Sequence, residues 1–305
     1  MSDTLFDVNL LPLTEKRFHG EIYGNFSKIT FKDDKRIAKP KTYYDHFISN
    51  GYEYIIVNYH SVIAGAEEIL KKHNFKTKFD RISMEPLFLA YRETSLQNTY
   101  QNRHSLVMCI MVCEGNTTQQ IENFFNYYSS QGVDKIFMYR CGNLADMPDY
   151  PQRDFVEYFE WDFNPAFLNY EEGKRMHYLQ VPLYNMFSRK IAAHCDWTIY
   201  CDLDEYIYSK TNSTIKEHLK NSNKESHLFC DHRYGYIDFT TNISCYESTT
   251  TQPLRGKSII NTSLSTPTYK VSVHRGEKTL SDTDLILVHI KRNAMNKIFT
   301  ETHKL

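Results

Sequence analysis

The run Ser105-Leu106-Val107-Met108-Cys109-Ile110-Met111-Val112-Cys113 is apolar at every position after its serine, which is the pattern of a strand buried on both faces. A helix is predicted directly after it. Thr117 and Gln120 stand at the spacing of a capping box, and Ile121, Phe124, Phe125 and Tyr128 fall on one apolar face at i, i+3, i+4 and i+7. Gly132 sits where a helix stop belongs, and residues 133–139 read as a second strand. Strand, helix and strand within about 35 residues make a βαβ unit, which requires a parallel pair and a right-handed crossover.

Downstream, a third strand is predicted over 155–161 and a helical region over 171–194. Pro182 interrupts that region, and the loss of its N–H predicts a kink or two shorter helices. The next stretch, Asp196-Trp197-Thr198-Ile199-Tyr200-Cys201-Asp202-Leu203-Asp204-Glu205-Tyr206-Ile207-Tyr208, carries an apolar strand pattern straight into three carboxylates. Strand alternation would turn Asp202 and Asp204 to one side and Leu203 to the other. Two carboxylates so close repel each other and resist burial, so a cation is expected beside them. Oxygen ligands suit magnesium or manganese, with water and phosphate oxygens in the remaining positions. In open α/β sheets such ligands sit outside the carboxyl ends of the strands. The alternative is an acidic surface loop that binds nothing.

Beyond this motif the chain turns β-rich. Thr214 and Glu217 have capping-box spacing ahead of a short helix over 214–220, and strands are predicted over 228–230, 234–239, 257–261, 270–274 and 285–289. Upstream, strands are expected near 53–59 and 87–91 and a short helix near 64–72. The polar stretch 97–104 is the best boundary, which divides the chain into an α+β extension (1–103) and a main α/β domain (104–305).

Composition narrows the function. A chain of 305 residues that is 41% hydrophobic can bury a sizeable core. Its net charge of −1, from 36 basic and 37 acidic residues, argues against a nonspecific nucleic-acid binder. No apolar stretch approaches the roughly 20 residues of a membrane span. The acidic N-terminus lacks the basic start of a secretory signal, so a cytoplasmic protein is expected, with peripheral membrane contact still open. Seven scattered cysteines, without a Cys-x-x-Cys pair, read as small hydrophobes. The 23 tyrosines and 19 phenylalanines suit a carbohydrate site and equally suit half-buried strands.

Taken in order, these landmarks resemble glycosyltransferase family 92. The correspondence runs through Glu114 after the first strand, Gln131-Gly132-Val133, Ile136-Phe137-Met138-Tyr139, Gln180, Trp197 and Asp202-Leu203-Asp204-Glu205-Tyr206-Ile207. It continues in Lys257-Ser258-Ile259-Ile260, Val273-His274 and Val288-His289, and covers residues 105–290. Departures are Arg140 and Cys141, where the family has Asp-Asn, Tyr206 in place of phenylalanine, and Ile290 in place of tyrosine.

The resemblance implies a GT-A fold: a Rossmann-like mixed sheet flanked by helices, with a β-rich C-terminal half. It implies inverting, metal-dependent transfer of a hexose such as galactose from a nucleoside-diphosphate sugar to a glycan, glycolipid or other glycoconjugate hydroxyl. Asp204 would be the first ligand of Mn2+ or Mg2+, and Asp202 would reach the metal or the ribose. His274 would complete the shell, with His289 as the alternative. Glu247, then Asp238, are candidates for the base that deprotonates the acceptor. Glu114, Asp202, Arg175 and Lys257 are candidates for holding the nucleotide. Two rivals are weighed beside this. A haloacid-dehalogenase-like phosphatase expects its Asp-x-Asp on the first strand, with Thr or Val where Tyr206 stands here. A noncatalytic nucleotide-sugar or carbohydrate-binding protein would keep the fold without the chemistry.

Overall fold

The computed structural model describes residues 6–7, 9–12, 44–58, 63–76, 87–95, 103–112, 116–140, 149–161, 175–211, 213–222, 227–234, 257–267, 269, 271 and 279–290. In chain order its elements begin with β1 (Phe6–Asp7), β2 (Asn9–Pro12), β3 (Tyr44–Ser49), β4 (Tyr52–Asn58), α1 (Ile63–Lys72), β5 (Phe75–Lys76) and β6 (Leu87–Glu93). There follow β7 (His104–Val112), α2 (Thr118–Ser130), β8 (Lys135–Arg140), β9 (Val156–Glu160), α3 (Arg175–Ile191) and β10 (Cys195–Tyr200). The last are β11 (Glu205–Ser209), α4 (Ile215–Asn221), β12 (His227–Tyr234), β13 (Lys257–Asn261) and β14 (Thr279–His289). The chain divides into two compact units, one built from 1–102, 161–194 and 265–272, the other from the remaining stretches.

The first unit holds an antiparallel sheet in the order β2-β6-β4-β3. Its β3–β4 hairpin pairs Ser49 with Tyr52, leaving Asn50 (φ 49°) and Gly51 (φ 77°) as a two-residue loop in the left-handed region, the geometry that matches strand twist. Ile55 and Ala90 on one face of this sheet pack with Leu70 of α1 and with Phe75. Helix α3 runs unbroken through Pro182, in contrast to the expected interruption. Its buried Arg189 donates to the carbonyls of Asn185 (2.5 Å), Pro267 (2.9 Å) and Tyr269, and Asn185 exchanges hydrogen bonds with the Val271 backbone. An arginine can stay charged in such a core because it has five donors and several carbonyls meet them.

The second unit is mixed α/β, with an eight-stranded sheet in the order β11-β14-β12-β13-β10-β7-β8-β9. Strands β10, β7, β8 and β9 are parallel neighbours, and β13 runs antiparallel to β10. The predicted βαβ unit is present as β7-α2-β8. Residues 106–112 of β7 are all buried, and α2 starts in a complete capping box on Thr117 and Gln120. The second predicted box, Thr214 with Glu217, opens α4. Gly132 has φ of 82°, and a Cβ there would lie 2.8 Å from Lys216 Cβ, so a glycine is needed for both conformation and space. The core of this unit joins Leu106, Met108 and Ile110 to Phe124, Phe125 and Tyr128 of α2 and to Trp197 and Ile199 of β10.

Strand β14 is longer than the 285–289 segment expected, because its first half pairs in parallel with β12 before a register shift between Cys230 and Asp231. Tyr234 closes β12, and the rest of the predicted 234–239 strand lies outside the described residues, as does most of 270–274. Cys109, Cys195, Cys201 and Cys230 are buried free thiols.

Candidate active site

Strand β10 is buried along most of its length and stops at Tyr200; Cys201 to Asp204 form a turn, and β11 begins at Glu205. The Glu205 N–H donates to the Asp202 carbonyl at 3.0 Å, closing a four-residue turn. Asp-x-Asp therefore lies on a turn between two strands, which corrects the continuous strand read from the sequence. Each aspartate is partly exposed, at 31% and 26% of its side chain, while Leu203 enters the core.

The position of this turn matters. Strands β8 and β9 lie on one side of β7 and β10 on the other, so the parallel order reverses between β7 and β10. Asp202 and Asp204 follow the carboxyl end of β10 at that reversal, the place where open α/β sheets bind ligands.

Three charges meet beneath the turn. Lys257 opens β13, the antiparallel neighbour of β10, and its side chain is 0% exposed. Its Nζ lies 2.9 Å from Asp202 Oδ2 and 3.2 Å from Glu205 Oε2. Glu205, 4% exposed, also accepts the Asp202 N–H on Oε2 at 2.7 Å. Burial alone would drive the ammonium of Lys257 toward its neutral form. The charges of Asp202 and Glu205 outweigh burial, and the lysine is held protonated above its ordinary range. Burial pushes the Glu205 carboxyl up to about 7, against the pull of Lys257.

Asp204 has a different partner. The Ile290 N–H donates to its carbonyl at 2.8 Å, and the β11–β14 register sets Glu205 opposite His289. This pairing brings His289 Nε2 to 3.2 Å from Asp204 Oδ2, with the imidazole 29% exposed. Burial lowers the His289 pKa, and the hydrogen bond and charge of Asp204 outweigh it, so the net shift is upward. A half-open carboxylate beside an imidazole is a donor pair that suits manganese or magnesium with water and phosphate in the other positions. Among the described residues no group of three His, Cys, Asp or Glu side chains is placed to hold a metal by itself.

Helix α2 supports the turn from behind. The buried Tyr128 hydroxyl donates to the Glu205 carbonyl at 2.9 Å and accepts the Ile207 N–H at 3.2 Å, while Tyr127 donates to the Ile207 carbonyl at 2.7 Å. The Tyr206 ring stacks on Tyr128 with centroids 6.1 Å apart. The sequence marked Tyr128 only as an apolar helix position. A buried tyrosine needs a partner for its hydroxyl, and that was the available signal for its second role.

The other predicted residues fall as follows. Asp202, Asp204 and Lys257 meet at the turn, with His289 beside Asp204. Glu114, Asp238, Glu247 and His274 lie outside the described residues, and Arg175 opens α3 in the first unit. Arg140 ends β8 with its guanidinium 5.6 Å from the Tyr150 ring centroid and 5.8 Å from that of Tyr158.

No family model and no curated protein matches the chain. Among solved structures, the chain has a distant similarity to the crystal structure of galactosyltransferase LgtC in complex with donor and acceptor sugar analogues. That match has 12% identity and a TM-score of 0.27 over 51% of this chain and 58% of that one. The matched region therefore spans a little more than half the length of that transferase, and it assigns no family.

Proposed function

We propose that the chain is a metal-dependent, inverting glycosyltransferase that moves a hexose from a nucleoside-diphosphate sugar to a hydroxyl of a glycan or glycoconjugate. One observation carries the reading: Asp202 and Asp204 stand partly exposed on a turn at the carboxyl end of β10, where the parallel strand order reverses, and His289 at the end of β14 reaches Asp204 there. The family resemblance of the surrounding sequence points the same way.

In this reading Asp204 and His289 would hold manganese or magnesium, which when bound supplies charge neutralisation to the departing diphosphate. The chain's own groups do the positioning. Lys257 fixes the Asp202 carboxylate, leaving its open side for the ribose or a water. Glu247, or Asp238, takes the proton from the acceptor hydroxyl as that oxygen forms its bond to the anomeric carbon. The bond from that carbon to the diphosphate breaks with its electron pair on the leaving oxygen, through an oxocarbenium-like transition state. Glu114 is proposed for the nucleotide.

The test is release of nucleoside diphosphate from a panel of nucleotide sugars with manganese and a glycan acceptor. Turnover is expected from the natural chain. Asp204→Asn should abolish it at an unchanged melting temperature, and full turnover by that variant would overturn the assignment. Donor binding without transfer or hydrolysis would identify a binding protein instead.

A further inference from the structure

Arg140 ends β8 at the carboxyl edge of the parallel strands, the edge that also carries the acidic turn. Strand β7 pairs Val112 with Arg140 and, three residues earlier, Cys109 with Tyr200, so Arg140 stands level with the turn that follows Tyr200. Two strand spacings of about 4.8 Å separate the β8 and β10 backbones, a gap that a bound sugar chain spans.

The guanidinium is held by rings rather than by hydrogen bonds. It lies 5.6 Å from the Tyr150 ring centroid and 5.8 Å from that of Tyr158, two partly exposed rings 5.5 Å apart. Its buried Nε has no hydrogen-bond partner among the described residues. The carboxylate it reaches, Glu160, is 55% exposed, with Oε1 at 3.9 Å from Nη2, and an exposed pair this loose contributes little. The nearby Arg153 is paired with Glu122 at 2.7 Å. Arg189 is the contrast, a structural arginine whose donors meet three carbonyls. Arg140 instead keeps its fork open, 28% exposed beside two rings, and five coplanar donors match the two oxygens of a carboxylate. The family that the chain resembles has an acid at this position, so the positive charge is this chain's own.

We propose that Arg140, with Tyr150 and Tyr158, determines specificity for an acidic sugar in the acceptor: the tyrosine rings pack against the sugar and the guanidinium takes its carboxylate in place of Glu160. The diphosphate of the proposed donor belongs at the acidic turn, so a site two strands away suits the other substrate. That the acidic sugar is an acceptor rests on the sugar-transfer reading; the preference of Arg140 for a sugar carboxylate does not.

The experiment follows binding of glucuronate, glucose and inorganic phosphate to the full chain by NMR. Glucuronate should bind at least about tenfold more tightly than glucose, the scale of one charge-assisted bidentate pair. Phosphate should bind more weakly than glucuronate, since it has no ring to lay on the tyrosines. Arg140→Met keeps the apolar stem beside the rings and should erase the preference for glucuronate at an unchanged melting temperature. Arg140→Lys should keep only part of it, because an ammonium is a point charge without the fork. Equal binding of glucuronate and glucose, or an undiminished preference in Arg140→Met, would overturn the site. Phosphate binding as tightly as glucuronate would leave a general anion site and overturn the sugar. In the transfer assay, Arg140→Met should raise KM about tenfold for a uronate-bearing acceptor, with kcat and the KM of a neutral acceptor unchanged. An effect confined to the donor would overturn the acceptor assignment. If the natural chain transfers no sugar, the sugar-transfer reading falls, while the binding titrations still decide Arg140.

Discussion

Replacing Tyr128 by phenylalanine removes one oxygen atom from behind the acidic turn. The ring would keep its packing on Phe124, 4.6 Å away between centroids, and on Tyr206, so no cavity of consequence opens. The Glu205 carbonyl and the Ile207 N–H would both lose the hydroxyl they share. A buried backbone group left without its partner costs roughly 1–3 kcal/mol, so the pair predicts a loss of about 2–6 kcal/mol in the second unit. Trp197 is buried in the core of that unit and Trp161 belongs to the other, so urea unfolding should be followed by fluorescence in a Trp161→Phe background. The midpoint should drop with an unchanged denaturant slope. A loss below about 0.5 kcal/mol, the range of an indifferent surface change, would refute the claim that this hydroxyl holds the turn.

Two further substitutions probe the scaffold. Asp134 accepts from the Ser105 and Leu106 N–H groups and pairs with Lys216 at 2.5 Å. Burial pushes its carboxyl up, and Lys216 with the two N–H groups outweighs this, leaving the pKa below the ordinary 3.8. Its stabilisation is therefore complete above 3.8 and lost as pH falls through the lower folded-state value. Asp134→Asn should cost roughly 1–2 kcal/mol at neutral pH and flatten the acid limb of a stability-against-pH curve. Arg189→Met would strand the Asn185, Pro267 and Tyr269 carbonyls. A loss of about 3–5 kcal/mol is expected, read by Trp161 fluorescence in a Trp197→Phe background.

Much of the second unit was legible because its signals are local. The capping boxes at Thr117 and Thr214, the apolar run of β7 and the glycine after α2 each declare themselves within a few residues. The site was legible in content but not in arrangement. Asp202 and Asp204 announced an electrostatic problem, yet nothing local to them said that a lysine more than 50 residues downstream would answer half of it. His289 reaches Asp204 through strand register, a long-range property that a single sequence does not encode in any short window. The continuous strand through the motif failed for a related reason. Tyr206, Ile207 and Tyr208 are good strand residues and do lie in a strand, but in another one, with the reversal hidden in four residues of which only the acids looked unusual. Pro182 misled in the opposite direction, since a helix held by buried contacts along its length can absorb one missing hydrogen bond.

The insertion of β14 between β11 and β12 has a consequence for the order of events during synthesis. Every other strand of the eight-stranded sheet emerges from the ribosome before it, yet β11 and β12 have no ladder between them until residues 279–289 arrive to bridge the gap. Between the synthesis of β12 and that of β14 the nascent chain therefore carries β11 and β12 without the strand that joins them, a state prone to wrong pairing. Because the same late strand delivers His289 and the Ile290 N–H to Asp204, the acidic turn acquires its last neighbours only when the sheet closes. The pairing of Asp204 with His289 is thus timed to the closing of the sheet, and a half-made chain lacks it.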